Sequence, residues 1–417
     1  MKVDKERLKK NLEELAEFGR NEKGGIDRLA WTEPALKARE YIKEKMEEAE
    51  LEVYEDSVGN IFGRRIKYSR DSVLPAVMTG SHIDTPLNGG KYDGAVGVLG
   101  GLEAIRALNE AEVYTEHPLE LAVFAGEELS RFGGSFKGSM GFAGQLSEEL
   151  LQEKWIDDSG ITYRKALEGA GYDPEDFEKA ERSPGTVRCY YEMHIEQGRV
   201  LDEKNIPLGV VEAIAGATRG WAMIEGREDH SGATPMNFRK DALAAAAEVI
   251  LALEKFGRRE AYRDSVATVG DVAVEPGAMN VIPGKVKIPL EFRGTDKESK
   301  KRLMNDIDRK ISEIVSARKI SVDYSYHEDE DPCPIPEKSR SILKEACRER
   351  GYEYISMPSG AGHDAQIVAE KTRIGMIFVP SEEGISHSPD EYTEIDDIVR
   401  GTEVLADVML KESRAEA

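Results

Sequence analysis

Apolar and polar positions change rhythm several times along this chain. "MKVDKERLKKNLEELAEFG" and "EPALKAREYIKEKMEEAEL" repeat apolar residues at three- and four-residue steps between charges, which predicts helix through residues 1–50. "PAVMTGSHIDT" is a short apolar run ending in polar residues, the pattern of a buried strand. "GAVGVLGGLEAIRALNEA" follows as a helix entered through glycines, and "HPLELAVFAGEE" is a second buried strand ending in charge. This strand–loop–helix alternation predicts an α/β domain with a mixed, mainly parallel sheet and covering helices. In such sheets ligands bind beyond the carboxyl ends of the strands. His82, Asp84, Glu127 and Glu128 all fall at such ends.

Near residue 212 the rhythm changes. "GWAMIEGRE" alternates as a strand does, "RKDALAAAAEVILALEKFG" is a long helix, and "SVATVGDVAVEP" and "VIPGKVKIPLEFRGTD" are strands bounded by Gly and Pro. "KESKKRLMNDIDRKISEIVSAR" is a helix and "ISVDYSYHED" a last strand. The order β-α-β-β-α-β predicts a ferredoxin-like α+β domain inserted at 212–330. Residues 1–211 and 331–417 then form the first domain, completed by the strand "TRIGMIFVPS" and the helix "IDDIVRGTEVLADVMLKE".

Length agrees with two domains, because 417 residues exceed what one core usually serves. The formal net charge of -23 repels phosphate backbones and anionic lipid, which argues against nucleic-acid and membrane partners. The N-terminus lacks the apolar core of a signal peptide, and no uncharged apolar run approaches the roughly 18 residues of a membrane span. Cys189, Cys333 and Cys347 form no CxxC pair and read as free thiols in a reducing cytosol, so the expected location is cytoplasmic.

Candidate chemistry sharpens the picture. In "GSHIDTPLNGGKYDGAVG", residues two apart on a strand share a side, so the Asp84 carboxylate is expected to hold the His82 imidazole in one tautomer. Asp93 follows in a Gly/Tyr-rich loop, where a second carboxylate can reach the same place. "FAGEEL" sets Glu127 beside Glu128, and two such neighbours repel unless something positive sits with them. "YYEMHIEQG" ends a third strand with His194, and "EEGISHSPDE" places His387 after another. Three histidines, one Asp and one Glu make five candidate ligands. Three per ion with one carboxylate shared predicts two ions about 3.5–4 Å apart. Nitrogen with oxygen donors suits zinc, and also manganese, cobalt or nickel.

The motifs "GSHIDT…GGKYDG", "FAGEELSRFGGSFKGS", "HIEQG", "DHSGATPM", "PGAMNVIPG" and "SGAGHDA…VPSEEGISHSPDE" together resemble the amidase/hydantoinase/carbamoylase branch of the M20 metallopeptidase-like amidohydrolases. The resemblance runs over roughly residues 10–410 and implies roles residue by residue. His82 and His194 bind one metal, Glu128 and His387 the other, Asp93 bridges both, and Glu127 is the general base. His230 stabilises an oxyanion from the partner subunit of a homodimer. Asn280 and Arg293 hold the substrate carboxylate, with Gln197 and Arg219 as further pocket residues. His363 stands either behind a ligand or as packing, and His117 and His327 fall outside any motif and read as surface positions. Leu129 stands where many relatives have glycine, and could narrow the pocket floor. Ser231 and Ala233 also depart from the commoner "HAGTTPM" and touch no ligand. The implied reaction is hydrolysis of a carbamoyl C–N bond, most simply of an N-carbamoyl-L-amino acid, with the inserted domain closing as a lid. Allantoate amidohydrolase and beta-ureidopropionase are the nearest alternatives. An N-acyl amino acid hydrolase or a non-catalytic binding protein lies further off.

Overall fold

The structure, a computed structural model, describes residues 2–414. The chain divides into two compact units, one of Met1–Glu212, Ile335–Met357 and His363–Ala417, the other of Ala213–Pro334 with Pro358–Gly362.

The first unit is built on a sheet in the order Glu52–Glu55, Ile61–Arg65, Leu119–Phe124, Ala76–His82, Val187–Ile195, Arg373–Val379. Its four strands Leu119–Phe124, Ala76–His82, Val187–Ile195 and Arg373–Val379 are mutually parallel, and the Glu52–Arg65 hairpin joins them antiparallel. The parallel strands are buried along nearly their whole length. A parallel sheet covered on both faces has no solvent side, so these strands read as continuous apolar runs rather than alternating ones. Their carboxyl ends share one edge. Thr79 pairs with Tyr191 in the parallel register, three residues before each histidine, so His82 and His194 stand at matching depth.

Two local devices hold that edge in place. The helix Ala95–Glu110 is buried from Ala95 to Leu108. A Cβ at Gly97 would stand 2.4 Å from the Met193 carbonyl oxygen, and one at Gly100 2.2 Å from Met193 Cε. These glycines let the helix lie directly on the strand that carries His194. The N-terminal region is two helices, Lys5–Ala16 and Glu33–Glu48, and not one continuous helical stretch. Residues 17–32 between them carry Arg28, only 1% exposed. Its guanidinium donates to the carbonyls of Ile83 (2.5 Å), Leu15 (2.8 Å) and Phe18 (3.1 Å), tying the first helix to the end of the His82 strand.

In the second unit Lys285–Gly294 pairs with Gly216–Glu225, Ser265–Thr268 and Ala273–Glu275, and Ser321–Asp329 with Gly216–Glu225, all antiparallel. The strands Gly216–Glu225, Ser265–Thr268, Lys285–Gly294 and Ser321–Asp329 lie in the order fourth, first, third, second, as in a split β-α-β unit. Lys285–Gly294 alternates buried and more exposed residues, because only one face packs on the helices Ala242–Glu260 and Lys297–Arg318.

The surface reading of His117 fails. His117 is buried, its Nδ1 2.8 Å from the Pro75 carbonyl oxygen, whereas His327 is exposed. The three cysteines are free, with Cys189 and Cys347 buried. Among the described residues no helix is long and apolar enough to cross a membrane.

Candidate metal centre

Beyond the carboxyl ends of the parallel strands, six side chains converge. His82 ends its strand and is 2% exposed. Its Nε2 lies 3.5 Å from Asp93 Oδ1 and 3.7 Å from Glu127 Oε2. His194 Nε2 lies 3.3 Å from the same Asp93 Oδ1. His387 Nε2 lies 3.3 Å from Asp93 Oδ2 and 3.3 Å from Glu128 Oε1. Asp93 therefore turns one oxygen to two histidines and the other to the third. Two groups with ligand atoms within 4.8 Å of one another result, His82–Asp93–His194 and Asp93–Glu128–His387. Asp93 is carried into place by a tight turn at Gly94, where φ is 62° and a Cβ would stand 2.6 Å from His82 Nε2.

Asp84 does something other than the sequence reading expects. Its strand ends at His82, and the His82 Nδ1 meets the Asp84 backbone carbonyl at 3.1 Å, with the carboxylate at 3.6 Å. The carboxylate instead accepts the backbone N–H of Glu127 (3.2 Å) and of Glu128 (3.1 Å), one per oxygen. It thereby clamps the loop that presents both glutamates. Lys137 supports the same loop from the other side, donating to the carbonyls of Glu128 (3.3 Å) and Gly134 (2.5 Å) while 1% exposed.

The charges are strongly coupled. Burial pushes Glu127 well above the usual carboxylate range, opposed by His82 and reinforced by Glu128. Burial, then Asp93, pushes Glu128 up to about 7. The hydrogen bond to Asp93 lifts His387 to about 9 against its burial. Burial also opposes the charge of His82, yet Glu127, Asp84 and Asp93 outweigh it and raise that imidazole well above its ordinary value. Asp93 is held well below its ordinary value because His194, His387 and His82 outweigh its burial. The cluster thus draws positive charge between rings and carboxylates, a demand that a divalent ion satisfies. Borderline imidazole nitrogens with hard carboxylate oxygens fit zinc and its neighbours, so these groups, the first fully buried and the second opening to solvent at His387, are able to hold a metal.

Gln197, also singled out in the sequence, joins them. Its Nε2 donates to Asp93 Oδ2 (2.6 Å) and lies 3.4 Å from His387 Nε2. Both Gln197 (φ 57°) and His387 (φ 54°) sit in the left-handed region, strain of the kind that clusters at functional sites. His363 is buried with its ring 4.6 Å from that of His194, and forms a further close group with Glu192 and His194. Leu129, beside the glutamate pair, is 42% exposed.

His230, Asn280, Arg219 and Arg293 belong to the second unit. The short ribbon pairing Asp229–His230 with Val281–Ile282 brings "DHSGATPM" and "AMNVIPG" together, with the Ser231 N–H donating to the Asn280 carbonyl (3.1 Å). His230 is exposed, and its Nδ1 accepts the N–H of Gly232 (3.0 Å) and Ala233 (3.1 Å). With Nδ1 accepting, the neutral tautomer of the ring carries its hydrogen on Nε2. Arg219 and Arg293 share the Glu291 carboxylate, each 2.9 Å from Oε1.

Several participants escape sequence reasoning. Glu192 lies on an apolar strand two residues before His194, a charged break in "CYYEMHI" that marks it. It accepts from Ser81 (2.8 Å), Tyr190 (3.2 Å) and the Ala365 N–H (3.1 Å). Asp364 is buried against Ser139 (2.6 Å) and, by burial and then Glu192, is pushed up to about 8. Glu391 is 3% exposed, and nothing in "SHSPDE" separates it from exposed Asp390.

Comparison with known proteins agrees with this geometry. Residues 78–411 match the family described as Peptidase family M20/M25/M40. An N-carbamoyl-L-amino-acid amidohydrolase of Pseudomonas sp. (strain NS671) is 40% identical over 411 residues, 98% of each chain. An allantoate amidohydrolase of Bacillus subtilis (strain 168) is 36% identical over 402 residues, 96% of each. A solved amidase of the hydantoinase/carbamoylase family from Burkholderia multivorans superposes with a TM-score of 0.90 at 34% identity, covering 100% of this chain and 99% of that one. With its mainly parallel central sheet and its histidines and carboxylates gathered at the strand ends, the chain belongs to the M20/M25/M40 peptidase family and is one of that family's amidohydrolases.

Proposed function

We propose that the protein hydrolyses the ureido C–N bond of a small carboxylate, converting an N-carbamoyl-L-amino acid to the L-amino acid, carbon dioxide and ammonia. The observation that carries this reading is Asp93, whose Oδ1 faces His82 and His194 while its Oδ2 faces His387. That disposition suits a carboxylate shared between two cations. His82, His194 and Asp93 would hold one divalent ion, and Asp93, Glu128 and His387 a second; zinc, manganese, cobalt and nickel all suit these donors. When bound, such ions acidify a water and polarise the carbonyl under attack.

The remaining steps belong to the chain's own groups. Glu127, which neither ligand group includes, takes a proton from the attacking water and passes it to the leaving nitrogen. A C–O bond forms as the carbonyl pi bond opens to an oxyanion, whose collapse then breaks the C–N bond; the carbamic acid so released decomposes to carbon dioxide and ammonia, so one water balances the reaction. Asp84 fixes the loop that aims Glu127. His230 donates its Nε2 hydrogen to the developing oxyanion. Arg293 and Asn280 bind the substrate carboxylate, and Gln197 and Arg219 are further pocket residues. The second unit, with a first-unit boundary near residue 212, acts as lid and dimerisation domain. In a homodimer its His230 serves the partner subunit, and closure excludes water. The Bacillus subtilis relative supports allantoate as the second substrate to try.

The test is ammonia and amino-acid release by metal-depleted protein reloaded with zinc or manganese. The substrates are N-carbamoyl-L-amino acids, N-carbamoyl-beta-alanine, allantoate and N-acetyl amino acids. Turnover of one ureido class supports the reading and names the substrate. Metal uptake without turnover of any of them defeats it.

A further inference from the structure

Glu391 is a buried carboxylate with an unusual set of partners. Its Oε1 accepts the backbone N–H of Tyr92 (2.8 Å) and of Asp93 (3.1 Å). Its Oε2 lies 3.1 Å from Ser386 Oγ, and that hydroxyl lies 2.9 Å from Asp93 Oδ2. The carboxylate thus grips Asp93 directly at the backbone, while the Ser386 hydroxyl sits between the two carboxylates, its one hydrogen serving either of them at a time. Ser386 immediately precedes His387, so the same grip ties down the segment bearing the third histidine. Space is reserved for it, since a Cβ at Gly90 would fall 2.1 Å from the Glu391 carboxylate. Among the described residues no Lys or Arg forms an ion pair with Glu391, so no such salt bridge explains its burial, though its charge also favours protonated His387. What remains is orientation. A carboxylate that shows one oxygen to each of two histidine sets must be fixed about both its backbone and its side-chain torsions, and hydrogen bonds behind a ligand commonly do this.

We propose that Glu391 is the positioning residue of the Asp93 carboxylate, locking it so that its two oxygens face the two histidine sets and coupling it to the His387 segment. This rests on the dimetal reading above and names a residue that acts through Asp93 and Ser386.

The experiment titrates the metal-depleted full chain with Co²⁺, followed by calorimetry and the visible cobalt absorption. Parent, Glu391→Ala, Glu391→Gln, Ser386→Ala and the neighbouring control Asp390→Ala are compared, and each metal-depleted protein is melted alongside. Glu391→Ala is expected to weaken cobalt binding about 10–100-fold and to change the visible bands. Glu391→Gln, whose amide oxygen still accepts the two backbone N–H groups, restores affinity to within a few-fold, and Asp390→Ala stays at the parent level. Ser386→Ala gives a smaller loss with little change in melting. If Glu391→Ala fails to fold, Ser386→Ala and Glu391→Gln decide, and the parent's spectrum and affinity in Ser386→Ala overturn the proposal. Parent-like binding by Glu391→Ala overturns it too, as does a loss that Glu391→Gln leaves unrepaired or that Asp390→Ala shares. A parent chain that binds no cobalt refutes the dimetal reading itself and removes the basis for this one.

Discussion

Replacing Glu127 by glutamine separates chemistry from metal binding. The side chain keeps its length and shape, and the Asp84 clamp on the Glu127 backbone N–H is untouched. Neither close group of potential ligands includes Glu127. Its nearest charged partner is His82 Nε2 at 3.7 Å, and the negative charge there favours the protonated imidazole. Removing that charge makes His82 easier to deprotonate, so metal affinity is expected to hold or rise. What disappears is the proton acceptor. General acid–base catalysis by a positioned group contributes about 10²–10⁴ in rate, or about 3–5 kcal/mol of barrier at about 1.4 kcal/mol per tenfold. The assay is steady-state ammonia release from the best substrate, with bound metal measured by elemental analysis on the same preparation. The expected result is kcat down by about 10²–10⁴, KM nearly unchanged and metal content equal to the parent's. A kcat within tenfold of the parent refutes the assignment of the base, and a loss of metal that tracks the loss of activity refutes the separation of roles.

Further outcomes follow from the same geometry. Zinc or cobalt at about a hundredfold over Kd should stabilise the metal-depleted protein by about 2.7 kcal/mol. That gain should shrink from about pH 8 to about pH 6, because the ion must displace protons that His387 (about 9) and Glu128 (about 7) hold more firmly as pH falls. Calorimetric melts with and without metal check this, and a gain independent of pH contradicts it. Lys137 is lowered by burial from 10.5 to about 8, so between those values the unfolded chain binds a proton that the folded chain does not. Its contribution is present above 10.5 and lost as pH falls through about 8. Across that window the parent should gain up to about 3 kcal/mol relative to Lys137→Met, read by urea unfolding at several pH values, and parallel curves rule it out. Arg293→Lys loses the planar fork and should cost about 1.5–3 kcal/mol of substrate binding, seen as a rise in KM; an unchanged KM removes Arg293 from the carboxylate site.

How much of this was readable in the sequence depends on how each side chain is used. His82 and His194 close predominantly apolar runs, one at the last residue of its strand and the other one residue before the end, so their place at strand ends was legible. Glu127 and Glu128 stood out because adjacent acids after an apolar strand need a reason. Asp84 was noticed but its partner was not, because the strand stops at His82 and the two-residue alternation does not extend past it. Glu391 and Asp364 were invisible, since their meaning comes from backbone amides and hydroxyls contributed by residues hundreds of positions away. His117 misled for the converse reason. It lies outside every motif, yet the Pro75 carbonyl keeps it inside.

The chain order of the cluster has a consequence for how the protein is made. Asp93, Glu128 and His194 precede the whole second unit, whereas His387 and Glu391 follow it. Domains generally fold as units, and this one is interrupted by the second unit, so its sheet and its cluster are completed only once Ile335–Met357 and His363–Ala417 have emerged. A nascent chain should therefore carry His82, Asp93 and His194 without a finished site while the intervening unit is translated. Ribosome-stalled chains ending before and after residue 391 should differ in whether they retain metal.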